Sequence, residues 1–469
     1  MPQMSNISLE FSNPCNERCI HCYRVCDGTK RGFLSAEQAQ RVLEQAKTLG
    51  TQNVMITGGE ALLNPAWKEI VQIADNLNYK ISLFSNGTLL SDLDVDFLAN
   101  ITHLKEVQVS LYALDESVHD EITGLKGSCL KTKNAIRLLR ERNIPLFISC
   151  PVMRKNKKAV LDLMNWCEDN GINWCTDIFI FGTSDYAEAN LVHRLSFSEL
   201  EEFFDETMKD NGKLSDIWAK SYTGYDFSKL EFYNGATHSL CVSGDGTVYP
   251  AVGWYEPLGN IETDDIADLF TNHPLLQKLR TIHVNDIAEC RNCKCSDFCD
   301  FCFSPHIAAN NGELCKLDAE FCKFVALKKQ LAKRRDEMMK INDMVENLAK
   351  TIGKKITETE KPTVYEIESV GRFVIIPDKT QKTGKPQFSQ DNTAAISAVV
   401  VIETDVDCIT ITPESNTRNS IFPTKSCITI DANNEFYGTD GKKIPTAQIF
   451  EKLQDLYNSY NNPVKCIRK

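Results

Sequence analysis

The chain predicts an α/β fold: a partial parallel barrel of six strand–helix units, then a loop-rich cysteine segment, then a small α+β module. Three observations carry this. Short apolar runs alternate with amphipathic helical segments from Asn6 to about Gly182, the rhythm of repeated strand–helix units. Eight cysteines gather between Cys241 and Cys322. From Thr363 onward the sequence turns β-branched and turn-rich, then closes on one helical stretch. The expected boundaries are 1–235 for the barrel, 236–325 for the cysteine segment, 326–361 for a helix and linker, and 362–469 for the last module.

In order, NISLEF reads as the first strand, and SAEQAQRVLEQAKTLG as a helix capped by Ser35 and ended at Gly50. NVMIT, KISLFS, EVQVSLY, PLFISCPV and WCTDIFIF follow as strands with helices between them. The polar stretch from Asp185 to Tyr233 contains the helix SFSELEEFFDETMKD and bridges to the cysteine segment. From Phe321 to Lys350 apolar residues recur at helical spacing along a charged stretch, whose charge run reads as a solvated face; a Lys/Thr/Glu-rich linker follows to about Pro362. VYEIESVGRFVIIP, AAISAVVVIET, CITITP and SCITIDANNEFYG are the strands of the last module, and TAQIFEKLQDLYNSY its helix. Its cysteines, Cys408, Cys427 and Cys466, are too dispersed to suggest ligands.

Composition narrows the function classes. The 469 residues are 42% hydrophobic and 25% charged, which suits a globular protein of two or three domains. A net charge of −12 with no long basic run disfavours a phosphate-binding face, so no nucleic-acid partner is expected. No stretch of 18 or more apolar residues and no signal-like start occurs, so a cytoplasmic protein with no membrane association is expected. In that reducing compartment, nineteen cysteines are better explained by metal ligation than by disulfides.

The chemistry starts at CNERCIHCY. Cys15, Cys19 and Cys22 supply three thiolates where an iron–sulfur cube takes four, leaving one iron open to bind a small molecule. A structural zinc site is the other reading of three close cysteines, although zinc needs a fourth ligand and its usual spacings are paired Cys-x2-Cys. VMITGGEAL follows, an apolar run ending in Gly58, Gly59 and Glu60. A strand ending in two glycines exposes backbone to a ligand's amino group, and a carboxylate can pair with that group. Gly58, Gly59, Glu60, Ser85, Asn86 and Ser110 all fall at the carboxyl ends of predicted strands, where ligands sit in such folds. Asn86-Gly87 is equally a turn, compatible with that placement.

CNERCIHCY, VMITGGEAL, FSNGT at 84–88 and VSLYALDESVHDEITG at 109–124 together resemble the radical SAM superfamily. The resemblance implies a partial (β/α)6 radical SAM barrel in which Cys15, Cys19 and Cys22 hold a [4Fe-4S] cluster whose open iron is chelated by S-adenosylmethionine. It further implies that His21 lies near the adenine, that Gly58, Gly59 and Glu60 meet the cofactor's amino group, and that Ser85, Asn86 and Ser110 meet its ribose and methionine parts. His119 and Asp120 match the family pattern too and are expected to cap or brace a helix.

The second cysteine group, Cys241 and then CRNCKCSDFCDFC, resembles the SPASM extension found in many peptide-modifying members of that superfamily. By that resemblance Cys290, Cys293 and Cys299 hold at least one auxiliary [4Fe-4S] cluster, closed by Cys315 or Cys322; a zinc ribbon is the alternative. The pattern also departs from the extension. Gly246 is present, but Ala251 stands where a cysteine ligand is expected, and Cys299 and Cys302 are spaced one residue closer than in the family. Cys241, Cys302 and Cys295 are the remaining candidates for a second auxiliary cluster.

The implied function is reductive cleavage of S-adenosylmethionine to a 5′-deoxyadenosyl radical that takes hydrogen from a peptide or protein, with a flavodoxin or ferredoxin as electron donor. The modification would be a crosslink, an oxidation or an epimerisation of a ribosomally made peptide. Two alternatives stand beside it: a radical enzyme for a small metabolite or for activating another enzyme, and a non-catalytic iron–sulfur or zinc scaffold. No helix–strand module for peptide capture precedes the barrel, so capture is expected from the last module, the barrel itself or a separate protein.

Overall fold

In the computed structural model, β1 (Asn6–Ser12) lies inside a nine-stranded sheet, with five strands on one side of it and three on the other. The structure describes residues 2–24, 32–209, 235–283, 286–299, 306–307, 309–310, 313, 316–358, 364–369, 371–378, 408–413, 428–431, 435–438 and 442–461. It divides into two compact units, residues 1–331 and 332–469.

The six predicted strands of the barrel are β1, β2 (Asn53–Gly58), β3 (Lys80–Ser85), β4 (Leu104–Ser110), β5 (Leu146–Ser149) and β6 (Asn173–Cys175), each parallel to its neighbour. Helices α1 (Ala36–Thr48), α2 (Trp67–Asn76), α3 (Asp92–Leu98), α4 (Glu116–Thr123), α5 (Ser128–Glu141) and α6 (Ala159–Asp169) connect them. Helix α1 starts as the sequence predicts: the Ser35 hydroxyl accepts from Gln38 N, and the Gln38 side chain accepts from Ser35 N. Gly50 just beyond its end takes a left-handed φ of 84°.

Side-chain alternation divides this sheet into two unlike faces. Ile7, Leu9 and Phe11 join Val54, Ile56, Ile81, Leu83, Val107, Val109 and Ile148 in the main apolar core. On the opposite face, the register sets Glu10 beside Thr57 and Ser243, Ser82 beside Glu106, and Ser110 beside Ser149. The apolar face packs against the helices, and the polar face is itself covered at β1, where Glu10 is buried beside Arg24 and Tyr255.

The sheet does not stop at β6. Strand β7 (Ser239–Ser243) adds parallel to β1, and β8 (Thr247–Tyr249) and β9 (Gly259–Asn260) extend it antiparallel. The hairpin between β7 and β8 turns at Gly246, whose φ is 81°. Helix α7 (Phe197–Lys209) occupies the segment expected between barrel and cysteine region; residues 210–234 lie outside the described residues.

Two expectations differ. WCTDIFIF yields only the short β6; beyond it two bonds, Cys150 N to Cys175 O at 3.1 Å and Val152 N to Asp177 O at 2.8 Å, continue the contact with the segment that follows β5. The expected linker before Pro362 holds a strand, β10 (Ile356–Glu358), because its β-branched residues pair with the next strand, Ile356 opposite Ile367.

In the second unit β10, β11 (Val364–Ile367), β12 (Gly371–Asp378), β13 (Cys408–Pro413), β14 (Ile428–Asp431) and β15 (Phe436–Gly438) form one antiparallel sheet in sequence order. Its core gathers Leu348, Ile367, Ile430, Phe436, Ile449 and Leu453. Helix Ile449–Asn461 matches the predicted closing helix, and helix Ala319–Ile352 the predicted charged one. AAISAVVVIET lies outside the described residues.

Candidate active site

The chain leaves β1 through a bulge at Ser12 and passes directly into the cysteine turn. Its route is set by β2. Gly59 N donates to Ser12 O at 2.6 Å and Glu60 N to Pro14 O at 2.9 Å, so Gly58 and Gly59 run against the exit of β1. A Cβ at Gly58 would sit 2.3 Å from Ser12 O, and one at Gly59 2.4 Å from Pro14 O. The two glycines are therefore required by the neighbouring backbone, a role the sequence reading did not assign them; both stay partly exposed.

The far side of the turn is held by α4. Arg18 N donates to Thr123 O at 2.7 Å and Ile20 N to Ile122 O at 3.0 Å, while Cys22 N closes a tight turn onto Cys19 O at 3.1 Å. Gly124 ends α4 in the left-handed region and lets Arg18 pack against it. Cys15, Cys19 and Cys22 consequently ring one turn, partly exposed and in no disulfide.

Glu60 is 1% exposed and turned inward. Its carboxylate accepts from Leu62 N at 3.0 Å, Ser85 Oγ at 2.7 Å and Asn86 N at 2.8 Å, tying the end of β2 to the end of β3. Burial raises its pKa, and those donors oppose the rise. Asn86 Nδ2 donates to Asn16 Oδ1 at 2.9 Å, and Asn16 Nδ2 donates to Thr88 Oγ1 at 2.8 Å. Asn16, inside the cysteine motif, thus links the turn to β3; the sequence reading passed over it, although its place between two ligand candidates is a signal.

A second group missed from sequence surrounds Cys19. Glu17 is 3% exposed, lies 3.4 Å from the Cys19 sulfur, and is pushed up to about 7 by burial, with Glu60 and Asp120 adding repulsion. Tyr112 reaches the same sulfur with its hydroxyl at 3.9 Å. Its ring meets His21 edge-on at 4.8 Å and stacks on His119 at 5.3 Å. His21 is pushed down to about 4 by burial, and its Nδ1 has no partner among the described residues. His119 Nδ1 accepts from Tyr112 N at 3.1 Å, while Asp120 accepts from Gly127 N, Ser128 Oγ and Cys129 N at the start of α5. Those two residues brace the fold, as the sequence predicts. Ser110, at the end of β4, lies within hydrogen-bond reach of the Tyr112 hydroxyl.

Among the described residues, no three His, Cys, Asp or Glu side chains are arranged to hold a single metal ion. Three thiols on one turn suit a cube, in which each cysteine takes a different iron, and the buried atoms Glu17 Oε1 and His21 Nδ1 beside the turn, without a partner among the described residues, are available to a further polar group.

The second cysteine group forms a separate cluster of thiols. Cys293 N closes onto Cys290 O at 3.1 Å, Cys295 N approaches the Cys293 sulfur at 3.4 Å, and Cys299 follows a short turn from Ser296 to Phe298. Helix Ala319–Ile352 brings Cys322 among them: Cys290 is pushed up to about 12 by burial and then by Cys322 and Cys293. Cys302 and Cys315 lie outside the described residues.

Cys241 stands elsewhere. It is wholly buried on β7, where burial and then the Glu10 charge raise its pKa. Glu10 is ion-paired with Arg24 at 2.6 Å and accepts from Tyr255 Oη at 2.9 Å. Ala251, the position of the missing ligand, is buried and bridges to Trp254. A packed aromatic and ionic network thus occupies the surroundings of Cys241.

A family profile described as the Radical SAM superfamily matches residues 9–167, the segment that contains this site. The chain is 28% identical over 297 residues to the sporulation killing factor maturation protein SkfB of Bacillus subtilis, covering 61% of this chain and 68% of that one. It is 27% identical over 324 residues to the antilisterial bacteriocin subtilosin biosynthesis protein AlbA of the same organism, covering 66% and 69%. Among solved structures, Streptococcus suis SuiB bound to S-adenosylmethionine superimposes with a TM-score of 0.56 at 17% identity, covering 69% of this chain and 78% of that one. Native anSMEcpe with bound AdoMet and Cp18Cys peptide gives 0.55 at 18% identity, covering 71% and 98%. These structures share the fold of the partial barrel.

Proposed function

We propose that this chain, a radical SAM enzyme by the domain at residues 9–167, modifies a peptide or protein substrate by hydrogen abstraction. The observation that carries the reading is the cysteine turn, pinned by backbone bonds to β2 and α4 and by Asn16 to β3, so that three thiols stand at the carboxyl ends of the strands. The likeness to SkfB and AlbA, whose names speak of maturation and bacteriocin biosynthesis, supports a peptide substrate.

Cys15, Cys19 and Cys22 would hold a [4Fe-4S] cluster, with His21, Gly58, Gly59, Ser85, Asn86 and Ser110 around S-adenosylmethionine. When bound, this pair supplies a 5′-deoxyadenosyl radical after one-electron reduction by a flavodoxin or ferredoxin. The protein's own part is geometric. Glu60 locks the ends of β2 and β3 so that Ser85 and Asn86 keep their positions, Asn16 transmits that position to the turn, and the polar face of the sheet receives the substrate. Cys290, Cys293, Cys299 and Cys322 would hold an auxiliary cluster. No helix among the described residues is long and apolar enough to cross a membrane, and a cytoplasmic enzyme is the setting we infer.

The test is anaerobic reconstitution followed by S-adenosylmethionine and dithionite, with 5′-deoxyadenosine measured by mass spectrometry. Any short open reading frame found beside the gene is then co-expressed and its product examined for a mass change. Absence of 5′-deoxyadenosine from iron-loaded protein defeats the enzymatic reading; its presence without any peptide product turns the assignment toward a small metabolite.

A further inference from the structure

We propose that Tyr112 sets the reduction potential of the iron–sulfur centre at the cysteine turn by donating its phenol hydrogen bond to the Cys19 sulfur. This rests on the cluster reading above and adds to it a residue that binds neither iron nor substrate.

Four observations on the structure converge. The Tyr112 hydroxyl lies 3.9 Å from Cys19 Sγ, a hydrogen-bond distance for sulfur. The ring cannot swing away, because it is held between the edge of His21 and the face of His119. The backbone on both sides is fixed: Tyr112 N donates to His119 Nδ1 at 3.1 Å, and Tyr112 O accepts from Asn156 Nδ2 at 3.0 Å. The ring is packed on apolar side chains, Ile122, Met153 and Ile180, with Cys19 and Ile20 against that group, and Glu17, whose carboxyl also reaches the Cys19 sulfur at 3.4 Å, is itself buried.

The physics follows from charge. Reduction adds an electron to the centre, and a donor pointed at one of its sulfurs favours the more negative state, so hydrogen bonds to cysteine sulfur raise the potential. In a water-poor pocket that effect is screened less than at the surface. Tyr112 was readable in the run VSLYALDESVHDEITG, but only the fold shows which sulfur it meets.

The experiment is an electron-paramagnetic-resonance redox titration of the anaerobically reconstituted full chain. It compares the wild type, Tyr112→Phe and a chain with 3,5-difluorotyrosine at position 112, each in the Cys290→Ala/Cys293→Ala background to leave the first centre's signal alone. Tyr112→Phe keeps the ring and loses the donor, so its midpoint moves to more negative potential with iron content unchanged. The fluorinated phenol is a stronger donor and moves the midpoint the other way. Equal midpoints in wild type and Tyr112→Phe overturn the proposal. Should Tyr112→Phe fail to retain iron, the fluorinated chain decides alone, an unchanged midpoint again overturning it. A wild-type chain that takes up no cluster refutes the enzymatic reading instead, so the two failures are distinguishable.

Discussion

The two cysteine groups of the first unit are built in opposite ways. Cys15, Cys19 and Cys22 sit on a turn that owes its shape to other elements: β2 meets it at Ser12 and Pro14, α4 at Arg18 and Ile20, and β3 at Asn16. Cys290, Cys293, Cys295 and Cys299 lie on short local turns, braced from helix Ala319–Ile352 by Lys329, which donates to Lys294 O and pairs with Asp297 at 3.1 Å, and Cys293 is exposed. A site preorganised by a sheet keeps its donors in place before a cofactor arrives, whereas a segment of short turns gains much of its order from the metal it binds. The difference predicts that removing metal disturbs the second group more than the first.

That contrast can be broken, most severely, by the Cys15→Ala/Cys19→Ala/Cys22→Ala variant. It should lose about four irons per chain and all 5′-deoxyadenosine formation while the second group keeps its iron. Iron and sulfide counting with product analysis checks this, and loss of iron from both groups would show them to be interdependent. Next comes Cys290→Ala/Cys293→Ala. This variant should also lose about four irons, yet still cleave S-adenosylmethionine with dithionite, and should yield no modified peptide. Uncoupled cleavage without product sharpens the division of labour; unaltered product formation abolishes it.

A smaller effect is expected from Gly59→Ala, which forces a Cβ against Pro14 O at 2.4 Å. The backbone must shift, costing about 3 kcal/mol by chemical denaturation and loosening iron retention at the first group only. Smallest is Cys241→Ala. Because Cys241 is sealed beside Glu10, Arg24 and Tyr255, iron content should stay unchanged, with a stability loss of about 1 kcal/mol. A drop of iron in that variant would make Cys241 a ligand after all.

Much of this arrangement was readable in the residues themselves. Ser35 and Gln38 announce α1, the alternation of Ile7, Leu9 and Phe11 with Ser8, Glu10 and Ser12 gives β1 its two faces, and the spacing of Cys15, Cys19 and Cys22 marks the turn. What stayed hidden depends on contacts between distant segments. Glu60 reads from the sequence as facing a ligand, but Leu62 N beside it and two donors at the end of β3, Ser85 Oγ and Asn86 N, claim its carboxylate; no local pattern states the distant two. Asn16 and Tyr112 sit within quoted motifs, yet their partners lie 70 and 93 residues away. The strand at Ile356–Glu358 reads as linker in the sequence because its charged neighbours mask a β-branched pair.

Strand β7 has a consequence for anyone who would shorten or recombine this enzyme. It pairs with β1 from Asn6 opposite Ser239 to Glu10 opposite Ser243, so the element that launches the cysteine turn leans on a strand contributed more than two hundred positions later. A fragment ending near residue 235 would leave β1 as a bare, sticky border inviting other chains to pair with it. The smallest graft that preserves the reaction chamber should therefore carry the hairpin at 239–249 along with the first six strands, and libraries that shuffle modules between relatives should place their crossover after it.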